Sequence, residues 1–151
     1  MNKFMKIAIN EAEKGIELSH GGPFGAVIVR NGKVIAKGHN RVLNNIDPTC
    51  HGEIDAIRKA CKKLKTHDLS GCEIYTTGYP CLMCYGAILW ANISKVYYGC
   101  NVVDAQKIGF RDNKFEKNFI NKGKVLCEEI GRDECVKLFK KYKMIEDKEN
   151  Y

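Results

Sequence analysis

The sequence predicts an α/β protein, a three-layer α/β/α sandwich in which helices cover both faces of a mixed, five-stranded sheet. Three observations carry this expectation. Apolar residues recur at helical spacing in some segments and form short β-branched runs in others, in the order α-β-β-α-β-α-β-(β)-α. The first two runs are joined by Asn31-Gly32, a pair suited to a type I′ turn. No internal repeat, low-complexity tract or linker breaks the pattern, and 151 residues suit one domain, taken as 1–151.

Each element has its own reason. Residues 3–18 place Phe4, Ile7, Ala8, Ala12 and Ile16 on one helical face, and His20-Gly21-Gly22-Pro23 breaks the helix. Residues 24–30 are a β-branched run, and 33–40 read as the return strand of a hairpin. Asp47-Pro48-Thr49 is a helix-start signal, after which 51–64 repeat Ile54, Ile57, Ala60, Cys61 and Leu64. A third strand at 72–77 leads through Gly78-Tyr79-Pro80 into a helix at about 81–91, then a fourth strand at 95–99. A fifth strand is expected at 125–130. A last, basic helix follows at 133–143, anchored by Val136, Leu138 and Phe139.

Composition narrows the function classes. Apolar residues at 44% and charged residues at 28% are ordinary for a globular chain and argue against extended disorder. Twenty-five basic against 18 acidic residues leave a net charge of +7, which favours anionic partners without naming one. Residues 74–94 are charge-free and long enough to span a bilayer, but Gly78, Pro80, Asn92 and Ser94 interrupt them, so no membrane span is expected. Glu11, Glu13 and Lys14 come before any long apolar run, so no signal peptide is read and a cytoplasmic location is expected. Eight cysteines then read as reduced thiols. Cys50, Cys61, Cys72, Cys100, Cys127 and Cys135 are expected to be small buried hydrophobes. Only Cys81 and Cys84 form a close pair.

Two short motifs carry chemistry: His51-Gly52-Glu53 and, 27 residues after Glu53, Pro80-Cys81-Leu82-Met83-Cys84. Alone, the first reads as a solvated helix start, and the second as a redox pair or half a structural zinc site. A thioredoxin-like order and a second Cys-x-x-Cys are both missing. In this order the two match the signature of zinc deaminases. Cys81 and Cys84, three apart at a helix start, place both sulfurs on one face, where the positive helix end favours thiolates. His51 supplies the third ligand. Three protein ligands leave one tetrahedral position for water, whose pKa zinc lowers toward about 7. Glu53 is then the expected acid/base, since a fourth protein ligand would close the site.

At this point the chain resembles the cytidine deaminase-like superfamily, and within it bacterial guanine deaminases. The similarity runs through Gly22-Pro23-Phe24-Gly25-Ala26-Val27-Ile28-Val29, Gly38-His39-Asn40, Asp47-Pro48-Thr49, Ala56-Ile57-Arg58-Lys59-Ala60 and Gly109-Phe110-Arg111-Asp112, ending in Tyr151. The resemblance implies that His51, Cys81 and Cys84 hold Zn2+ and that Glu53 shuttles protons. It implies that Asn40 hydrogen-bonds the base, Phe24 stacks on it and Asp112, also catalytic, contacts the departing amino group. It implies a homodimer that exchanges C-terminal segments, Tyr151 closing the neighbour's site. Against these stand plainer readings: Phe24 as a core aromatic, Asn40 as a strand-end cap, Tyr151 as a frayed end.

The chain departs from those enzymes at Tyr79, where Glu is usual, Leu82, where Pro is usual, and Gly52, where Ala is usual. Arg111 stands beside Asp112 where a second acid is common. The expected reaction is hydrolytic deamination of a free nucleobase, guanine to xanthine and ammonia. Cytosine or a creatinine-like ring is the alternative substrate, and tRNA adenosine deamination the alternative class. The basic residues around Arg58 to Lys65 and Lys137 to Lys143 are spaced like solvated helix faces, without interleaved aromatics, so nucleic acid is not the expected partner. A zinc staple in a non-catalytic binding protein is a third reading, distinguished by its indifference to Glu53.

Overall fold

Asn2 opens the chain's first helix, its side chain accepting hydrogen bonds from the backbone N–H groups of Phe4 and Met5 at 2.8 and 3.2 Å. That helix, α1, spans Lys3–Glu17. The computed structural model describes residues 2–112, 114, 115, 132 and 136. After α1 come β1 (Gly25–Arg30), β2 (Lys33–His39), the short α2 (Val42–Asn45) and α3 (Gly52–Leu64). Then follow β3 (Cys72–Gly78), α4 (Leu82–Trp90), β4 (Lys95–Cys100) and α5 (Val102–Lys107).

The β1–β2 turn has φ of 50° at Asn31 and 71° at Gly32, the two positive values a type I′ hairpin requires. Strand order is β2-β1-β3-β4. β1 is antiparallel to both neighbours, and β4 is parallel to β3 through the α4 crossover. The sheet is therefore mixed, as expected, but it has four strands rather than five among the described residues. The fifth strand placed at 125–130, nearly all of the last helix, and Tyr151 lie outside those residues. α2 and α5 were not expected. α5 is closed by a capping box in which Asn101 and Asp104 each accept the other's backbone N–H at 3.1 Å.

Strand alternation sorts the core into two layers. Val27, Val29 and Tyr75 pack with Ala8 of α1, flanked by Phe4, Met5 and Ile7. On the other face Ala26, Ile28 and Ile74 pack with Ala56 and Ala60 of α3 and Ile88 of α4. Small residues set the spacing. At Gly38 of β2 an added Cβ would stand 2.5 Å from the Ala56 nitrogen and 2.6 Å from the Gly52 carbonyl oxygen. Only glycine lets β2 lie so close to α3. The charge-free stretch 74–94 divides among β3, a turn and α4, and no helix among the described residues is long and apolar enough to cross a membrane.

Register pairs Gly25 with His39 and Ala26 with Thr76, so β2 and β3 end on either side of the start of β1. The helices α3 and α4 begin at this same end of the sheet. Cysteine burial follows expectation at Cys50 and Cys72, while Cys61 is half-buried. Cys100 corrects it: as the last residue of β4 it is exposed. Cys127 and Cys135 lie outside the described residues.

Candidate active site

His51 and Cys81 occupy the position just before α3 and α4 respectively, with extended backbones (ψ 161° and 169°). This is where Ser, Thr, Asp or Asn would ordinarily cap a helix. Neither side chain caps. Instead His51 Nδ1 stands 3.6 Å from Cys81 Sγ and 3.6 Å from Cys84 Sγ, Cys84 lying one turn into α4. All three donor atoms fall within 4.8 Å of one another.

This spacing fits zinc. With sulfur at about 2.3 Å and nitrogen at about 2.0–2.1 Å, two donors on a tetrahedral ion stand about 3.6 Å apart. The donor chemistry agrees as well. The Cys84 thiol's hydrogen bond is the main reason the Cys81 thiol is lowered to about 4; burial opposes it and His51 adds to it. Cys81 is therefore held as a thiolate, and Cys84, bonded to that thiolate and buried, is held as the thiol. His51 is pushed up by its bond to Cys81, against burial, with Glu53 and Asp112 adding negative charge. Such protons are the ones a bound cation displaces.

Glu53, only 4% exposed, sits in the first turn of α3. Burial raises its carboxyl above the usual range, although Thr76 partly offsets this. The Thr76 hydroxyl donates to Glu53 Oε1 at 2.9 Å. Glu53 Oε2 is the oxygen facing the sulfurs, 3.4 Å from Cys84 Sγ. One oxygen is held and the other faces the cluster.

A small pocket opens over this cluster, lined by Phe24, Asn40, His51, Glu53, Tyr79, Cys81, Phe110 and Asp112. The residues assigned from sequence therefore converge, apart from Cys84, buried just beneath, and Tyr151, which is not among the described residues. Asn40 donates its N–H to the Phe24 carbonyl at 2.8 Å, and its Oδ1 accepts from Val42 N–H at 3.2 Å. The capping reading of Asn40 is thus realised through Oδ1, on a residue that also faces the pocket. The Phe24 ring meets Phe110 edge-on, centroids 4.7 Å apart. Thr76, Phe110 and Tyr79 were not assigned site roles from sequence. Thr76 looks like any β-branched strand residue, whereas Tyr79 and Phe110 flank motif positions and their neighbours were the available signal.

Comparison with known proteins agrees with this geometry. Residues 1–100 match the family described as the cytidine and deoxycytidylate deaminase zinc-binding region. The chain is 48% identical over 110 residues to a guanine deaminase of Bacillus subtilis (strain 168), covering 73% of this chain and 70% of that protein. It is 44% identical over 95 residues to a tRNA-specific adenosine deaminase of Aquifex aeolicus, covering 63% of this chain and 62% of that one. The crystal structure of guanine deaminase from Bacillus subtilis superposes with a TM-score of 0.93 at 38% identity, over 100% of this chain and 99% of that one. On the motif, the donor geometry and this likeness together, the chain belongs to the cytidine and deoxycytidylate deaminase zinc-binding family.

Proposed function

We propose that the protein is a zinc-dependent aminohydrolase that converts guanine and water to xanthine and ammonia. The observation that carries this reading is the convergence of His51, Cys81 and Cys84 with the buried Glu53 beneath a pocket walled by Phe24, Asn40 and Asp112. A zinc ion held by the three donors would supply water activated for attack at neutral pH.

The remaining work falls to this chain's own residues. Glu53 takes a proton from the attacking water at Oε2, the oxygen Thr76 leaves free, and passes it to the ring nitrogen beside the attacked carbon. As the carbon–nitrogen bond breaks, Glu53 takes the remaining proton from the hydroxyl now bonded to that carbon, which becomes the carbonyl, and delivers it to the leaving amine, which departs as ammonia. Its raised proton affinity suits a group that must both take and give near neutral pH. Phe24 stacks on the base, Asn40 hydrogen-bonds its edge, and Asp112 contacts the amine that leaves. In the same reading the protein is a homodimer with exchanged C-terminal segments, and Tyr151 of the partner subunit closes the site.

The test is ammonia release from a panel of aminated rings by the zinc-loaded protein. Guanine should turn over. If guanine is inert while cytosine or creatinine reacts, the substrate is reassigned within the same chemistry. The likeness to a tRNA-specific adenosine deaminase favours one second reading, and steeply salt-dependent binding of tRNA with adenosine deamination would select it.

A further inference from the structure

We propose that His39 is a positioning residue for the substrate pocket, holding Asn40 and Phe24 in place from behind without touching substrate. This rests on the reading of Asn40 and Phe24 as base contacts. His39 is the last residue of β2, completely buried, and none of its polar ring atoms is left over. Its Nδ1 meets Glu11 Oε1 of α1 at 3.1 Å, and its Nε2 meets Nδ1 of His20, in the α1–β1 connection, at 2.9 Å. Its backbone N–H donates to Asp55 Oδ2 of α3 at 3.3 Å.

A carboxylate only accepts, so His39 Nδ1 carries the hydrogen given to Glu11, and between His39 Nε2 and His20 Nδ1 one nitrogen donates to the other. Both flanks are charged. Lys37 Nζ lies 3.5 Å from Glu11 Oε2, and Asp55 Oδ2 is also met by Lys59 at 2.7 Å and Arg41 at 3.4 Å. A carboxylate and an imidazole inside a core, with a second, half-buried imidazole against them, are a costly way to fill space that an apolar side chain could fill. What the arrangement adds is direction: α1, the α1–β1 connection and α3 are all tied to the residue that precedes Asn40.

The ties reach the pocket wall from both sides. The carbonyl of His20 accepts the N–H groups of Leu43 at 3.0 Å and Asn44 at 3.2 Å, drawing the connection over α2. Gly21 then lies so close that an added Cβ would fall 2.0 Å from Asn40 Oδ1. On the opposite side Gly15 of α1 approaches the His39 ring, where a Cβ would stand 2.8 Å from Cδ2. Ring, connection and pocket wall therefore move together or not at all.

His39→Phe keeps a flat ring beside Gly15 and removes both nitrogens, while His39→Gln returns an amide near Nε2, within reach of His20. In zinc-loaded His39→Phe, KM for guanine should rise roughly tenfold and kcat change less than about threefold, with zinc content unchanged. His39→Gln should recover most of the loss. In an Asn40→Ala background the same His39→Phe change should cost less than about twofold, because its route of action is gone. Independently of any substrate, the side-chain amide signals of Asn40 in NMR spectra should shift in His39→Phe and return in His39→Gln. If His39→Phe does not fold, Glu11→Gln takes its place with the same readouts. An unmoved Asn40 signal, or an equal loss with and without Asn40, overturns the proposal. A wild-type protein that deaminates no base overturns the deaminase reading and leaves the NMR result to judge His39.

Discussion

The same substitution, glycine to alanine, is expected to act in opposite directions at two places. At Gly38 the new Cβ would lie 2.5 Å from the Ala56 nitrogen and 2.6 Å from the Gly52 oxygen, where ordinary contact begins at 3.4 Å. Both obstacles are backbone, so no side chain can rotate away, and α3 must back off from β2 by the better part of an ångström. Overpacking of this kind costs about 1–3 kcal/mol. The stiffer unfolded chain returns only about 0.4–1 kcal/mol. A net loss of about 1–2 kcal/mol in a chain of this size lowers Tm by about 2–8 °C. At Gly86, inside α4, a Cβ meets nothing within 4 Å, so alanine gains its helix preference of about 0.5–1 kcal/mol and raises Tm by about 1–4 °C. Thermal melts of the zinc-loaded variants, followed by circular dichroism, read both shifts. Gly38→Ala should also lower turnover, because α3 carries Glu53 and begins beside His51, whereas Gly86→Ala should not. A Gly38→Ala protein that melts at or above wild type would show that strand and helix are not packed as described.

Three further outcomes follow from the site and its supports. Glu53→Gln keeps the side chain's size beside Thr76, so zinc content should hold while ammonia release falls roughly 10²–10⁴-fold; near-normal turnover would remove Glu53 from the mechanism. Cys84→Ser, at a completely buried donor, should release zinc to a chelator at concentrations that leave the wild type loaded, with metal analysis as the readout; full occupancy would refute its role as a ligand. Burial pushes Glu11 up, but its hydrogen bond to His39 and the charges of Lys37, His39 and Lys14 outweigh this and leave it below its ordinary value. A lowered carboxyl stabilises the fold above its unfolded value and loses that contribution as pH falls through its folded one. Urea midpoints of wild type and Glu11→Gln should therefore differ at pH 7 and draw together in acid; a gap that widens in acid contradicts the pairing.

Much of this was legible in the sequence because its signals are local. The spacing of Ile54, Ile57 and Ala60 marks α3, Asn31-Gly32 marks the hairpin, and two motifs hold the donor set in a few consecutive residues. What escaped depends on distance. Nothing around Thr76 distinguishes it from its β-branched neighbours until the fold brings Glu53 within 2.9 Å. Glu11, His20 and His39 are separate residues in sequence, and only the packing of α1 on the sheet makes a chain of them. Cys100 reads as buried from its apolar neighbours but lies in β4, the edge strand of the described sheet, in which no residue is buried. The capping box of Asn101 and Asp104 has a readable spacing, yet α5 is too short to show a hydrophobic period.

The places of His51 and Cys81 set local order against chemistry. A residue chosen there to steady the helix would be serine, aspartate or asparagine, a gain of about 1 kcal/mol at each start. Every such choice takes away an imidazole or a thiolate, and a side chain turned back to cap its helix does not face an ion. Selection for a tougher protein and selection for a working one therefore pull these two positions in opposite directions. Stabilising changes are better sought on the far ends of α3 and α4, where the two demands no longer meet.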